Sequence, residues 1–159
     1  MIISNATPLI AFARIQRLDL LHQVVGTLAI PEEVADEIRG YRGGHYGEID
    51  LTRESWITVQ AVQSSAQVQL LLPTLDQGEA EVITLALEQH AHLVLIDELT
   101  GRKVAESLQL PVLGSVGILI RAKQMNLVPA VRPLLEKMVQ RGVRYSQRFI
   151  TSILRQIGE

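Results

Sequence analysis

Apolar runs of strand length alternate with stretches of helical periodicity along most of the chain. Because neighbouring parallel strands need crossover connections, this alternation predicts a parallel sheet covered by helices. We expect an α/β fold with a central parallel sheet of four or five strands and a helical C-terminal third, in a single domain over residues 1–159. The predicted strands are 1–4, 27–30, 56–62, 93–96 and 111–113, and the predicted helices are one or two within 8–26, then 31–39, 76–90, 100–109, 115–125, 129–140 and 146–156.

The composition excludes several classes of protein. The chain has 159 residues, 47% of them apolar, which is enough for one core of ordinary size. It contains no cysteine, so a disulfide scaffold, a thiolate metal site and a cysteine nucleophile are excluded. Residues 1–6 lack the features of a signal peptide, and no apolar run is long enough to cross a bilayer. We expect a soluble, cytoplasmic protein with no membrane partner.

The charge is distributed unevenly. Residues 1–120 hold 7 basic and 15 acidic side chains, whereas residues 121–159 hold 8 basic and 2 acidic ones. This division is typical of an acidic, metal-binding body beside a surface that attracts phosphate. The alternative is that the basic residues form solvated helix faces.

Polar side chains follow two of the predicted strands. Asn5 comes directly after the first strand, and Asp97 comes directly after the strand 93–96. Ligands of open parallel sheets bind beyond the carboxyl ends of the strands, so both residues are candidates for a site. The structural alternative for Asp97 is a helix cap or a solvated loop residue.

Two predicted helices each bring one glutamate towards their apolar side. At 100° per residue, Glu79 falls on the inward face of the helix 76–90, whereas Glu81 and Glu88 point outward. The alternative for Glu79 is a capping box with Asp76. In the helix 31–39, Glu37 is the acid nearest the apolar face, while favourable interaction with the helix dipole explains the acids of the first turn.

These four side chains predict a site for a hard cation. Asn5, Glu37, Glu79 and Asp97 offer only oxygen ligands, which suit Mg²⁺ or Mn²⁺ and their phosphate chemistry.

The remaining motifs offer no rival site. Of the four histidines, His22 and His45 are isolated and His90 and His92 flank a helix end, so we expect them at the surface or in loops. The sequence has no P-loop, no nucleophile elbow and no dinucleotide-binding fingerprint.

Taken together in order and spacing, several short segments resemble the PIN-like DUF3368 family. The resemblance covers about residues 2–157 and implies a three-layer PIN-like fold. PIN domains are compact α/β folds, and many are the toxin components of toxin–antitoxin pairs that cleave RNA with Mg²⁺ or Mn²⁺. The matching segments are 4–10, 30–31, 37–38, 76–81, 95–98, 101–102 and 113–117.

The resemblance also implies roles for individual residues. It assigns metal binding to Asn5, and both metal binding and catalysis to Glu37, Glu79 and Asp97. If the match shifts by one or two positions, Glu81 and Glu98 are the alternatives. Thr7 is expected to bind a metal water or a phosphate, and Arg102, Lys103 or the C-terminal basic residues are expected to hold the RNA backbone. The expected partners are RNA, an antitoxin protein and a second copy of the chain in a homodimer.

Asn5 departs from the aspartate that PIN nucleases usually carry at this position. An amide oxygen coordinates a hard cation but adds no negative charge, so it weakens binding. The leading hypothesis is a metal-dependent ribonuclease. The competing hypothesis is a catalytically silent module that binds RNA or a partner protein.

Overall fold

The structure, a computed structural model, describes residues 1–44 and 46–159. Within these residues five parallel strands form one sheet in the order β3-β2-β1-β4-β5. The order places β1 at the centre and β3 and β5 at the two edges, so the predicted parallel sheet is confirmed. The strands are β1 (Ile2–Ser4), β2 (Leu28–Pro31), β3 (Ile57–Gln60), β4 (Leu93–Leu95) and β5 (Val112–Leu113).

Helices cover both sides of the sheet in a three-layer α/β arrangement, and the C-terminal third is helical as predicted. In the described part of the chain, no helix is both long and apolar enough to cross a membrane. The helices are α1 (Ala6–Arg14), α2 (Leu18–Val25), α3 (Glu32–Gly40), α4 (Ser65–Leu71), α5 (Gln77–Glu88), α6 (Leu99–Ser107), α7 (Ser115–Gln124), α8 (Arg132–Gln140) and α9 (Gln147–Gln156).

The central strands form the middle of the hydrophobic core. Ile3, Val94 and Leu95 are completely buried, as are Ile83 of α5 and Leu119 of α7. Helix α5 packs against α3, α4 and the strands β1, β2 and β4, whereas α1 contacts α2, α7 and α8 and also α3. Strands buried on both faces explain why these segments read as continuous apolar runs.

The pairing of β1 with β4 brings two strand ends together. Ser4 lies opposite Leu95 in the parallel register, and the amide of Asn5 donates a hydrogen bond of 2.9 Å to the carbonyl of Leu95. Asn5 and Asp97 therefore follow adjacent strands at the same edge of the sheet, as the sequence predicts.

Helix α4 is absent from the sequence prediction. Only Val68 of this seven-residue helix is buried, so the segment carries little apolar periodicity. Its start is stabilised from outside, because Glu88 of α5 accepts hydrogen bonds from the amides of Gln63 and Ser64. Glu88, predicted to point outward, is thus a half-buried capping partner of another helix.

The histidines that the structure describes lie at the surface, as predicted. His22, His90 and His92 are exposed, and the His22 ring stacks on Trp56 at a centroid distance of 4.7 Å. His45 lies outside the described residues.

Glu159 fastens the C-terminal helices to the rest of the fold. Its carboxylate accepts hydrogen bonds from the amides of Val131 and Arg132 at the start of α8 and pairs with Lys123 at 2.8 Å. Although burial opposes ionisation, these donors lower the pKa of Glu159 to about 2. Lys123, one of the basic residues of the C-terminal segment, therefore stabilises the fold through an ion pair. The alternative that these basic residues only form solvated helix faces does not predict this ion pair.

We predict that Glu159→Gln destabilises the protein by about 1–2 kcal/mol at pH 7, because hydrogen bonds to a charged acceptor are lost. Since the pKa is lowered on folding, this stabilisation exists above the ordinary glutamate value of 4.5 and disappears as the pH falls towards about 2. Denaturant unfolding of both proteins across this range measures the difference. Glu106→Gln, at an exposed position, is the control. If the difference in unfolding free energy between the wild type and Glu159→Gln does not change with pH, the stabilising role given to ionised Glu159 is wrong.

Candidate active site

Asp97 is fixed at the carboxyl end of the sheet by the start of helix α7. Its Oδ1 accepts a hydrogen bond of 2.6 Å from the amide of Ser115, and its Oδ2 accepts a second from the Ser115 hydroxyl. Burial raises the pKa of Asp97, although the Ser115 hydrogen bonds and the charge of Arg102 oppose this shift. The capping alternative is therefore correct in part, because Asp97 caps a helix from across the sheet.

Glycine at position 114 permits the close approach of Arg102 to Asp97. A Cβ atom at Gly114 would lie 2.5 Å from Nη1 of Arg102 and 2.8 Å from Oδ1 of Asp97. The same Nη1 donates a hydrogen bond of 3.4 Å to the carbonyl of Ile96. Arg102 thus compensates the charge of the half-buried Asp97, whereas Lys103, the next residue of α6, is exposed.

Glu79 satisfies both interpretations of its sequence position. It is buried, with 7% exposure, and forms a capping box with Asp76, in which each side chain accepts a hydrogen bond from the other residue's amide. Burial raises the pKa of Glu79, and the nearby carboxylates of Asp76 and Glu98 add to the shift. Interaction between the Glu79 and Glu98 carboxyl groups raises the pKa of Glu79 and lowers the pKa of Glu98.

Glu98 belongs to this group of acids, although sequence reasoning treated it only as an alternative. It caps α6 by accepting a hydrogen bond of 2.8 Å from the amide of Gly101, and this bond is the main reason that its pKa is lowered. Glu79 therefore retains its proton more strongly than Glu98 in the metal-free protein. The contact between them depends on how α5 and α6 pack, which no local pattern encodes.

The prediction that Glu37 points towards the interior of the protein is wrong. The residue is exposed on α3, but its carboxylate leans onto the start of α5, where a Cβ atom at Gly78 would lie 2.5 Å from Oε1. Partial burial of the carboxylate is the main reason that the pKa of Glu37 is raised, and repulsion from Asp76 is the next largest. Glu37 thus approaches the acids of α5 across the surface.

Asn5 and Thr7 lie at the start of α1. Asn5 is buried, with 7% exposure, and its Oδ1 accepts a hydrogen bond of 3.0 Å from the amide of Ala6 as the helix N-cap. Thr7 is exposed and lines the same groove as Asp97 and Glu98. An amide oxygen retains a second lone pair, so the cap leaves Asn5 able to bind another donor or a cation.

Ser115 and Tyr145 are two site residues that sequence reasoning missed. Ser115, where the predicted helix 115–125 begins, is the first residue of α7, and Asp97 accepts hydrogen bonds from both its amide and its hydroxyl. The hydroxyl of Tyr145 is buried beside Ser115 and Asp97 and, among the described residues, forms no hydrogen bond of good geometry. Burial and the Asp97 charge raise the pKa of Tyr145. The position of Ser115 just after a strand could have marked it as a site residue. Tyr145 carries no such signal, because it lies in a segment distant in sequence from the strand ends.

The donor chemistry of this site fits a hard divalent cation, but the ligands are not assembled around one point. All the candidate donors are oxygens, and the raised pKa values of Glu37, Glu79 and Asp97 mean that a nearby cation would stabilise their ionised forms. Over residues 1–44 and 46–159, however, no three His, Cys, Asp or Glu side chains are grouped closely enough to hold an ion together. Binding a cation here would require the acids to rearrange.

The three-layer α/β fold is that of a PIN domain. The chain matches the sequence profile of the DUF3368 family, a PIN domain family, over residues 1–159, and it belongs to that family. A search of curated proteins finds no match to the chain. PIN domains are generally nucleases that use divalent metals, so the chain has a nuclease-like fold.

We predict that Glu79→Gln changes how the metal-free protein responds to pH. Glutamine preserves the capping box but carries no charge. Because the pKa of Glu79 is raised on folding, the wild type loses stability relative to the variant as the pH rises above the ordinary value of 4.5. Thermal unfolding in a metal chelator, with Glu106→Gln as control, measures this trend. Parallel profiles for wild type and Glu79→Gln would contradict the environment assigned to Glu79.

Proposed function

We propose that this chain is a metal-dependent ribonuclease, a toxin-like component of a toxin–antitoxin pair, built as one PIN domain over residues 1–159. The observation that carries the proposal is the convergence of oxygen donors at one edge of the sheet. Asn5 follows β1, Asp97 follows β4, and Glu79 reaches the same region from α5, where it meets Glu98. Membership of a PIN domain family, whose members are generally nucleases, supports the reaction class.

Asn5, Glu37, Glu79 and Asp97 are the residues proposed to hold Mg²⁺ or Mn²⁺. Such an ion, when bound, supplies Lewis-acid stabilisation of phosphoryl charge and lowers the pKa of a water molecule. The protein holds Asp97 in place through Ser115 and balances its charge with Arg102. Glu37 is exposed on α3, so its carboxylate would reach the ion from the surface.

The proposed RNA contacts come from side chains at the mouth of the site. Thr7 is exposed beside Asp97 and Glu98 and offers a hydroxyl to a phosphate, and Lys103 is exposed on α6. Arg102, also a proposed RNA contact, lines the groove while compensating Asp97. Contacts of this kind position the RNA backbone and contribute little to sequence recognition. The proposal includes an antitoxin partner, a homodimer and action in the cytoplasm, where cellular RNA is the target.

We predict that Mn²⁺ or Mg²⁺ raises the melting temperature of the wild type and that Asp97→Asn removes this effect. At a concentration 100 times the Kd, binding to the folded state alone contributes about 2.7 kcal/mol. Asparagine retains an acceptor for the Ser115 amide, so the variant tests charge more than folding. Differential scanning calorimetry with and without metal gives the shift, and Glu106→Gln should behave like the wild type. An undiminished shift in Asp97→Asn rejects this residue as a ligand.

The second candidate function is a catalytically silent module that binds RNA or a partner protein. Two observations favour it: Asn5 adds no negative charge, and the described acids are not grouped around one point. Under this alternative the groove and the basic residues are retained for binding, while the acids serve as helix caps.

Asn5→Asp distinguishes the two candidates. Aspartate and asparagine are equally good N-caps, so the substitution adds a charge with little effect on α1. We predict that it strengthens Mn²⁺ binding about tenfold, equivalent to about 1.4 kcal/mol, and increases cleavage of single-stranded RNA. Isothermal titration calorimetry and a gel-based nuclease assay measure the two effects.

The outcomes separate clearly. Cleavage by the wild type that Asn5→Asp improves supports the nuclease. An inert wild type with an active variant favours the silent binding module, whose ancestral chemistry the aspartate restores. If neither protein binds metal or cleaves RNA, the acids are structural and the proposed function is wrong.

A further inference from the structure

A groove of about 980 Å³ extends from the acids into the C-terminal part of the fold. It begins at Asp97 and Glu98, and its apolar floor includes Ile10 of α1 and Ile120 of α7. Segment 142–146 and the start of α9 form the opposite wall. We call this feature the C-terminal groove. Neither the proposed metal site nor the helix caps explain its apolar part.

The wall of the C-terminal groove presents an aromatic surface. Tyr145 and Phe149 pack against each other with a centroid distance of 5.7 Å and an interplanar angle of 33°. Tyr145 is half-buried and its hydroxyl is fully buried, whereas Phe149 remains 41% exposed. An aromatic ring that is held by a neighbour and still open to solvent provides a stacking platform for a planar ligand.

The charge at the rim of the groove favours an anionic ligand. Arg144 lines the groove, is exposed and takes part in no salt bridge within the described residues. By contrast, Arg14 in the same lining is occupied, because it donates hydrogen bonds to Tyr41 and to the carbonyl of Arg141. Arg144 is therefore the cation free to contact a phosphate beside the aromatic wall.

We propose that the C-terminal groove is a nucleobase subsite, in which Phe149 stacks on one unpaired base of the RNA and Arg144 contacts an adjacent phosphate. The inference rests on the proposed function, because it places this base next to the phosphodiester at the acids. A planar base matches the aromatic and apolar lining, and its attached phosphate matches the cation at the rim. A base within a duplex has both faces covered, so it must leave the stack before it can contact Phe149.

The test compares two single-stranded probes of equal length and charge: a ten-residue oligouridylate and a ten-residue abasic ribose phosphate chain. Binding is measured by fluorescence anisotropy in a chelator, so that no cleavage occurs. We expect the wild type to bind the oligouridylate about tenfold more tightly, in line with the effect of one stacked base. Phe149→Ala should reduce this ratio to about one.

Two further variants separate stacking from charge. Leu70→Ala removes an exposed apolar side chain from α4, which does not line the groove, and should retain the tenfold ratio. Arg144→Gln should weaken the binding of both probes alike. It should also reduce the slope of the logarithm of the binding constant against the logarithm of the salt concentration by about one.

Equal binding of the two probes by the wild type overturns the proposal and favours an apolar peptide of a partner protein as the occupant. This comparison does not depend on any variant folding correctly. If the tenfold ratio is found but no RNA is cleaved with Mn²⁺, the subsite stands and the proposed nuclease is wrong. If RNA is cleaved and the ratio is one, the nuclease stands and the subsite is wrong.

Discussion

The parallel pairing of β1 with β4 is the constraint on which the site depends. The register that sets Ser4 opposite Leu95 also sets Asn5 against the end of β4, through a backbone hydrogen bond of 2.9 Å. Slipping this register by one residue would turn each buried β1 side chain to the other face of the sheet and move Asn5 away from the end of β4. Burial of the strands thus enforces the placement of Asn5 and Asp97 at one edge.

The acids at this edge serve the fold as well as the candidate site. Glu79 closes a capping box on α5, Asp97 holds the first residue of α7, and Glu98 caps α6. Hydrogen bonds from helix amides stabilise the ionised acids, while burial and mutual repulsion oppose ionisation. A cation binding here competes with these amides for the same oxygens.

The sequence predicts most of the fold because the strongest signals are local. Apolar runs and helical periodicity identify the five strands and eight of the helices found in the described residues, with ends shifted by a few residues. Helix α4 escaped prediction because only Val68 is buried, which leaves little apolar periodicity. Its N-cap is Ser64, and the amides of Gln63 and Ser64 are held by Glu88, which is distant in sequence. Glu37 was placed inward from periodicity alone, but its exposed side chain reaches the acids of α5 across the surface.

The sequence by itself determined the strand ends and the inward face of α5, and therefore the positions of Asn5, Asp97 and Glu79. These positions follow from the two-residue period of side chains in a strand and the 3.6-residue period of a helix. They also follow from the rule that ligands bind beyond the carboxyl ends of parallel strands. Only the tertiary structure decided that Glu98 meets Glu79, that Arg102 lies beside Asp97, and that Tyr145 and Phe149 form the wall of the C-terminal groove. Such contacts join residues from separate elements, and their geometry follows from how helices and sheet pack together, which no single segment of sequence specifies.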